Sequence, residues 1–255
     1  MVSVTDNNTP VLLLRGLTRE QRHWGRFSSM LADKLANPVL GFDFAGSGEL
    51  YQQRSPADIS ALRQSVRSQL QNHSAFTGKV HLVALSLGGM LAADWALAFP
   101  AEVASITLIN SSARPLAPFY QRLRWQNYPA LAGLFLLSAS KREQRILELT
   151  TARAYQDLQI VSQWQTWQQQ RPVSAGNALR QLLAASRFSL KAKPACPALI
   201  ISSQADKLVN PQCSVALADY LQAIHQQHSW AGHDIALDDP LWLAGQIAQF
   251  IRQLC

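Results

Sequence analysis

Short runs of nearly continuous Val, Ile and Leu recur along this chain, each bounded by turn residues, with helical patterns between them. The runs fall at residues 11–14, 39–44, 80–85, 104–109, 198–202 and, more weakly, 223–228. An apolar run without polar alternation suits a strand covered on both faces. The helical patterns lie at 24–35, 56–71, 88–99, 213–221 and 241–254. Strand alternating with helix predicts a mostly parallel sheet of about six strands, joined by crossover helices. At 255 residues and 48% hydrophobic, the chain can bury a sizeable core, which excludes a disordered protein.

One interval breaks the rhythm. From about 114 to 190 there are helical patterns but no convincing strand, with breaks near Pro129, at 138–140 and near Pro172. The tract SQWQTWQQQ at 162–170 spaces its tryptophans for one helix face. The expected organisation is therefore a core of 1–112 and 191–255, carrying a helical insertion at 113–190 that lies over the sheet as a cap. A separate helical domain is the alternative.

The strongest chemical signal is HLVALSLGGM, where a buried strand runs into Ser86 and Gly88–Gly89 open a helix. A serine on such a turn exposes its hydroxyl, and the helix N-terminus favours the negative charge that develops there. Ala84 stands where a glycine is usual, one extra methyl. Serine needs a positioned imidazole, and an acid behind it. Among six histidines, His233 lies in the loop WAGHD, after the last weak strand and before the last helix. Asp206 directly follows the run at 198–202 and is the favoured acid. Asp234, adjacent to His233, is the competitor, though sequence neighbours on a loop seldom face one another.

In the order Ser86, Asp206, His233, the chain resembles the α/β-hydrolase superfamily, in particular its small, capped, esterase-like members. The Arg15–Gly16 loop, the segment DFAGSG at 43–48 and Gly232–His233 extend that resemblance over nearly the whole chain. It implies oxyanion donors at the backbone amides of Leu17 and Leu87. It also implies an N-terminal hairpin that is trimmed here, since about ten residues precede Val11. Where the family commonly has His-Gly, this chain has Arg15-Gly16. Arg15 is either a contact for an anionic substrate group or a strand-end arginine paired with a carboxylate.

Lys+Arg 23 against Asp+Glu 16 gives a formal charge of +7, and its distribution is uneven. Residues 112–190 hold nine Arg and one Lys against Glu143, Glu148 and Asp157, so the whole net charge sits on the insertion. One reading is a set of solvated helix faces. The other is an arginine-bearing lid for an anionic substrate, with Arg114, Arg122, Arg124, Trp125 and Trp164 as substrate-binding candidates. A distant similarity to pimeloyl-acyl-carrier-protein methyl ester esterases implies an acidic acyl carrier, or CoA, as partner. No recognition motif accompanies the charge, so nucleic acid is not expected.

Cys196, Cys213 and Cys255 show no ligand spacing and read as small apolar residues. No cofactor, metal or membrane span is expected. The polar start at 1–10 lacks the order of a secretory signal, which points to the cytoplasm. The expected activity is a serine hydrolase cleaving a carboxylic ester or thioester of a small molecule. Carbon–carbon cleavage or elimination with the same triad, and a non-catalytic binding protein, are the alternatives.

Overall fold

A computed structural model describes residues 9–254; Cys255 and nearly all of the polar start lie outside them. Six strands form one all-parallel sheet: β1 (Val11–Leu14), β2 (Val39–Gly41), β3 (Val80–Leu85), β4 (Val103–Ile109), β5 (Ala198–Ser203) and β6 (Ile224–His228). Their order is β2-β1-β3-β4-β5-β6. Helices α1 (Phe27–Lys34), α2 (Ile59–Gln71) and α3 (Leu87–Ala98) join the first four strands. Between β4 and β5 lie α4 (Phe119–Arg122), α5 (Tyr128–Gly133), α6 (Ala139–Thr150), α7 (Leu158–Gln170) and α8 (Ala175–Arg187). The chain closes with α9 (Gln212–Leu221), α10 (Ile235–Asp238) and α11 (Pro240–Gln253).

The strands are continuous in apolar residues because both faces are covered. Leu12, Leu14, Leu82, Ala84, Ile106 and Ile200 pack beneath α2, α3 and α9. Their alternates, including Val11, Leu13, Val83, Leu85 and Ile201, pack against Phe27 and Leu31 of α1 and Leu243 and Ile247 of α11. β2 ends at Gly41, not at residue 44, and the chain beyond it turns at Ala45–Gly46. The first helix starts later than its pattern suggests. Residues Gln21–Trp24 form a separate 3-10 turn, and Gly25, at φ 52°, breaks the chain before Phe27.

The chain runs from β1 outward to β2 and then returns to β3 on the other side of β1. That reversal opens a crevice at the carboxyl ends of β1 and β3, the usual place for a site in an open α/β sheet.

The insertion leaves and rejoins the core through a parallel bridge between Arg114 and Ser189. Its longer helices start where side chains accept from their first amides: Ser138 for α6, Asp157 for α7 and Ser174 for α8. Helix α8 is inverted. It buries Asn177, Gln181 and Ala184, while Leu179, Leu182 and Leu183 face outward. The polar positions are inside because the core loops present unpaired backbone groups there. Gln181 accepts from Thr18 N at 2.8 Å and donates to Ser47 Oγ at 3.0 Å. Asn177 accepts from Ser55 N at 2.9 Å and donates to the Gln53 carbonyl at 3.0 Å. Among the described residues, no helix is long and apolar enough to cross a membrane.

Candidate active site

Ser86 ends β3 and precedes α3 in a conformation few L-residues adopt, φ 57° and ψ −115°. The surroundings fix this strained turn. Its amide donates to the Ile109 carbonyl at 2.9 Å, and its carbonyl accepts from Ser111 Oγ at 2.8 Å. The diglycine is required by close backbone approach. A Cβ on Gly88 would stand 2.5 Å from the Leu14 carbonyl oxygen, and one on Gly89 2.5 Å from Ser111 Oγ. α3 is thereby wedged beneath the ends of β1 and β4. Gly16 lies alongside, since a Cβ there would be 3.2 Å from that of Ser86.

His233, in the loop between β6 and α10, sits 2.7 Å through Nδ1 from Asp206 Oδ2, and both are buried. The other Asp206 oxygen accepts from the amides of Leu208 and Val209 at 2.8 and 3.0 Å, so the carboxylate is fixed in orientation. Burial alone would push the imidazolium down. The Asp206 charge and hydrogen bond, helped by Asp234, overcome this and raise the His233 pKa above its ordinary value. Asp234 does not compete for the imidazole, because its carboxylate is taken by Arg15 at 3.2 and 2.5 Å. Asn110 ties the His233 loop to the serine turn: its Nδ2 donates to the His233 carbonyl at 2.7 Å and to Ser203 Oγ at 3.0 Å. Among the described residues no hydrogen bond joins Ser86 Oγ to His233; the two are brought together through Ile109 and Asn110.

The substrate-binding candidates separate sharply. Arg15 has the carboxylate partner of its second reading: it is buried with Asp234 and lies 4.7 Å over the Trp24 ring. Arg122 is also buried and donates to the Ala185 carbonyl at 2.6 Å, where the last carbonyls of α8 need donors. Trp164 is 1% exposed and packs on Leu147 and Val161, so it is core and not pocket lining. Arg124 donates to the Asp206 carbonyl at 3.0 Å, which makes it a brace of the loop carrying Asp206. Arg114 and Trp125 are exposed.

The same holds for much of the charge on the insertion. Arg142 and Arg180 donate to backbone carbonyls, Arg145 pairs with Glu148, Arg171 lies near Glu20 and Glu49, and Arg153 stacks on Trp230. Half of the insertion's cations are thus at least partly buried in contacts, while Arg114, Lys141, Arg145, Arg153 and Arg187 stay exposed.

Three positioning groups went unrecognised in the sequence: Asn110, Gln181 and Asp238. Asp238 accepts from the amides of Ala152, Arg153 and Ala154 in the insertion and from Gly232 beside His233, all within 2.7–3.0 Å. Only Asn110, a polar residue ending a buried strand, left a local signal. Gly232 is as constrained as the diglycine, since a Cβ there would meet the Thr150 carbonyl oxygen at 2.7 Å. Among the described residues, no group of three or more His, Cys, Asp or Glu side chains is placed to hold a metal ion. Burial pushes the Cys196 and Cys213 thiols up to about 11.

A second histidine lies near the site without joining it. His23 is buried, edge-on to Trp164 at 4.5 Å and Trp167 at 5.2 Å, with Arg19 Nη1 3.2 Å from its Nε2. Arg19 pairs in turn with Glu143 of α6 at 2.5 Å. Burial, then Arg19 and Arg15, push the His23 pKa well below 6.5. The unfolded chain therefore binds a proton near pH 6.5 that the folded protein refuses, and stability falls as pH drops below that point. Urea unfolding should show a loss of up to about 1.4 kcal/mol per pH unit from this residue. His23→Gln should flatten the slope between pH 6.5 and 5.5; an unchanged slope would place the acid sensitivity elsewhere.

Comparison with known proteins agrees with this architecture. The model of the alpha/beta hydrolase family matches residues 11–246. An esterase from Thermogutta terrifontis superposes with a TM-score of 0.75 at 21% identity, covering 96% of this chain and 90% of that one. The esterase RhEst1 from Rhodococcus sp. ECU1013 gives 0.77 at 17% identity, covering 97% and 91%. In sequence, the chain is 28% identical over 106 residues to "Putative carbamate hydrolase RutD" of Azorhizobium caulinodans, 42% of this chain and 38% of that protein's length. With the match extending from β1 into α11, the chain belongs to the alpha/beta hydrolase family.

Proposed function

We propose that this chain is a serine hydrolase that cleaves a carboxylic ester or thioester through an acyl-enzyme. The observation that carries the reading is the buried 2.7 Å contact between His233 Nδ1 and Asp206 Oδ2, linked through Asn110 and Ile109 to a serine on a strained strand-to-helix turn. Ser86 Oγ attacks the carbonyl carbon while His233 Nε2 accepts its proton. The oxyanion is held by the amides of Leu17 and Leu87, each donor contributing about 3 kcal/mol in the transition state. Asp206 stabilises the imidazolium, which then protonates the leaving alcohol or thiol. Water, deprotonated by His233, releases the acid and restores the serine.

The helical insertion acts as the lid over this crevice. With Arg122 and Arg124 engaged in bracing, an anionic substrate, an acyl carrier or CoA would meet only the outward cations, among them Arg114 and Arg187. A fluorophosphonate probe should label Ser86, and Ser86→Ala should lose both the label and turnover of p-nitrophenyl acetate, by about 10⁴-fold or more. Assays beside a p-nitrophenyl carbamate and acyl-CoA at low and high salt would define the substrate class. Undiminished turnover by Ser86→Ala would sink the reading.

A further inference from the structure

Arg15 and Asp234 are 219 residues apart and form a bidentate pair whose side chains are each 3% exposed. Their places in the chain are what matter. Arg15 directly follows β1 and is itself followed by Gly16, which lies against the Ser86 turn, and by Leu17. Asp234 directly follows His233 and opens α10. One buried ion pair thus joins the loop that would hold the oxyanion to the loop that carries the base. One face of the guanidinium is covered by Trp24, at 4.7 Å, and Trp24 packs in the same core layer as Ile235 and Ala236.

Stability is a poor reason for such a pair. Desolvating two charges offsets most of their attraction, and an apolar pair of similar volume often holds a core as well. A planar fork gripping both carboxylate oxygens instead fixes distance and angle. We propose that Arg15 and Asp234 are positioning residues that set the separation between the oxyanion loop and the His233 imidazole, and that pairing them keeps a carboxylate beside the base from acting on it as a bare charge. The proposal rests on the serine-hydrolase reading for its catalytic consequence.

The charged and titratable groups facing His233 are few. Asp206 faces it from the loop after β5, Asp234 from its own loop and Arg15 from the end of β1; Arg15 also acts on His23 in the turn after β1. Arg124 reaches only the Asp206 carbonyl. Opposite changes to the pair should therefore have opposite effects. Asp234→Asn leaves a guanidinium beside the imidazole and disfavours the imidazolium, so the midpoint of the rising limb of kcat/KM moves to lower pH. Arg15→Met leaves a carboxylate, and the midpoint moves to higher pH, each by roughly one unit.

Removing both charges separates electrostatics from positioning. In Arg15→Met/Asp234→Asn the midpoint returns close to that of the parent. The tether is gone, however, and kcat stays down by roughly tenfold or more with KM little changed. Arg15→Lys keeps the buried charge but not the fork, so it should hold the midpoint and still lower kcat. It also tests the proposal if Arg15→Met does not fold.

NMR titration of the His233 imidazole in a Ser86→Ala background measures the same midpoints without turnover. A failure of the hydrolase reading is thus distinguishable from a failure of this one. Single variants that shift the imidazole in the same direction, or not at all, would overturn the proposal. Full kcat in the double variant or in Arg15→Lys would do so as well.

Discussion

Asp206→Asn should lower kcat by about four orders of magnitude while the protein still folds. The asparagine carbonyl oxygen can keep the hydrogen bonds from the Leu208 and Val209 amides that orient the present carboxylate. The remaining amide nitrogen then faces His233 Nδ1, where Asp206 Oδ2 now sits at 2.7 Å. A donor there forces Nδ1 to accept and moves the imidazole proton to Nε2, the atom that takes the serine proton in the proposed mechanism. The variant therefore has the right shape and the wrong tautomer. Steady-state kinetics alongside thermal unfolding tests this: a small loss of kcat with normal unfolding would show that His233 has another partner in turnover.

Gly88→Ala should be the most damaging of the small substitutions. Its Cβ would stand 2.5 Å from the Leu14 oxygen and 2.7 Å from that of Arg15, and neither backbone atom can turn aside as a side-chain tip would. The strain is expected to cost about 3 kcal/mol or more. For a chain of this size that lowers Tm by roughly 10 °C. Whatever relaxation occurs pushes the end of β1, and with it the Gly16–Leu17 loop, so activity should fall beyond the loss of folded protein. Gly245→Ala is the control. It lies inside α11, an added Cβ meets nothing within 4 Å, and replacing a helical glycine should stabilise by up to about 1 kcal/mol. Equal Tm values for the two variants would refute the packing argument.

The sheet was legible because its signals are local. Each inner strand is a short apolar run, and the Ser86 turn is announced by a strand before it and two glycines after it. The acid and the imidazole were legible as candidates from their places at strand ends. What joins them was not. Arg15 meets Asp234 across 219 positions, Gln181 meets Thr18 across 163, and Asn110 meets His233 across 123. No periodicity or spacing encodes such pairs. The charge on the insertion is hard to read for a related reason: sequence counts cations but does not tell a guanidinium bonded to a carbonyl from one open to solvent. Helix α8 adds a sharper case. Its leucine spacing alone points Leu179, Leu182 and Leu183 inward, yet buried backbone amides in the core loops draw Asn177 and Gln181 to that side instead.

The contacts of the helical insertion bear on how freely such a protein can be rebuilt. It holds the β1 loop through Gln181 and the Asp206 loop through Arg124 and Asn127. It holds the His233 loop through the amides of 152–154 on Asp238 and the Thr150 carbonyl on Asp234 N. The loops carrying Thr18, Asp206 and His233 are therefore shaped partly by the insertion, while the Ser86 turn is held by the core alone. An insertion borrowed from a relative would not be an interchangeable module, since it would have to bring matching donors and acceptors for each of those loops.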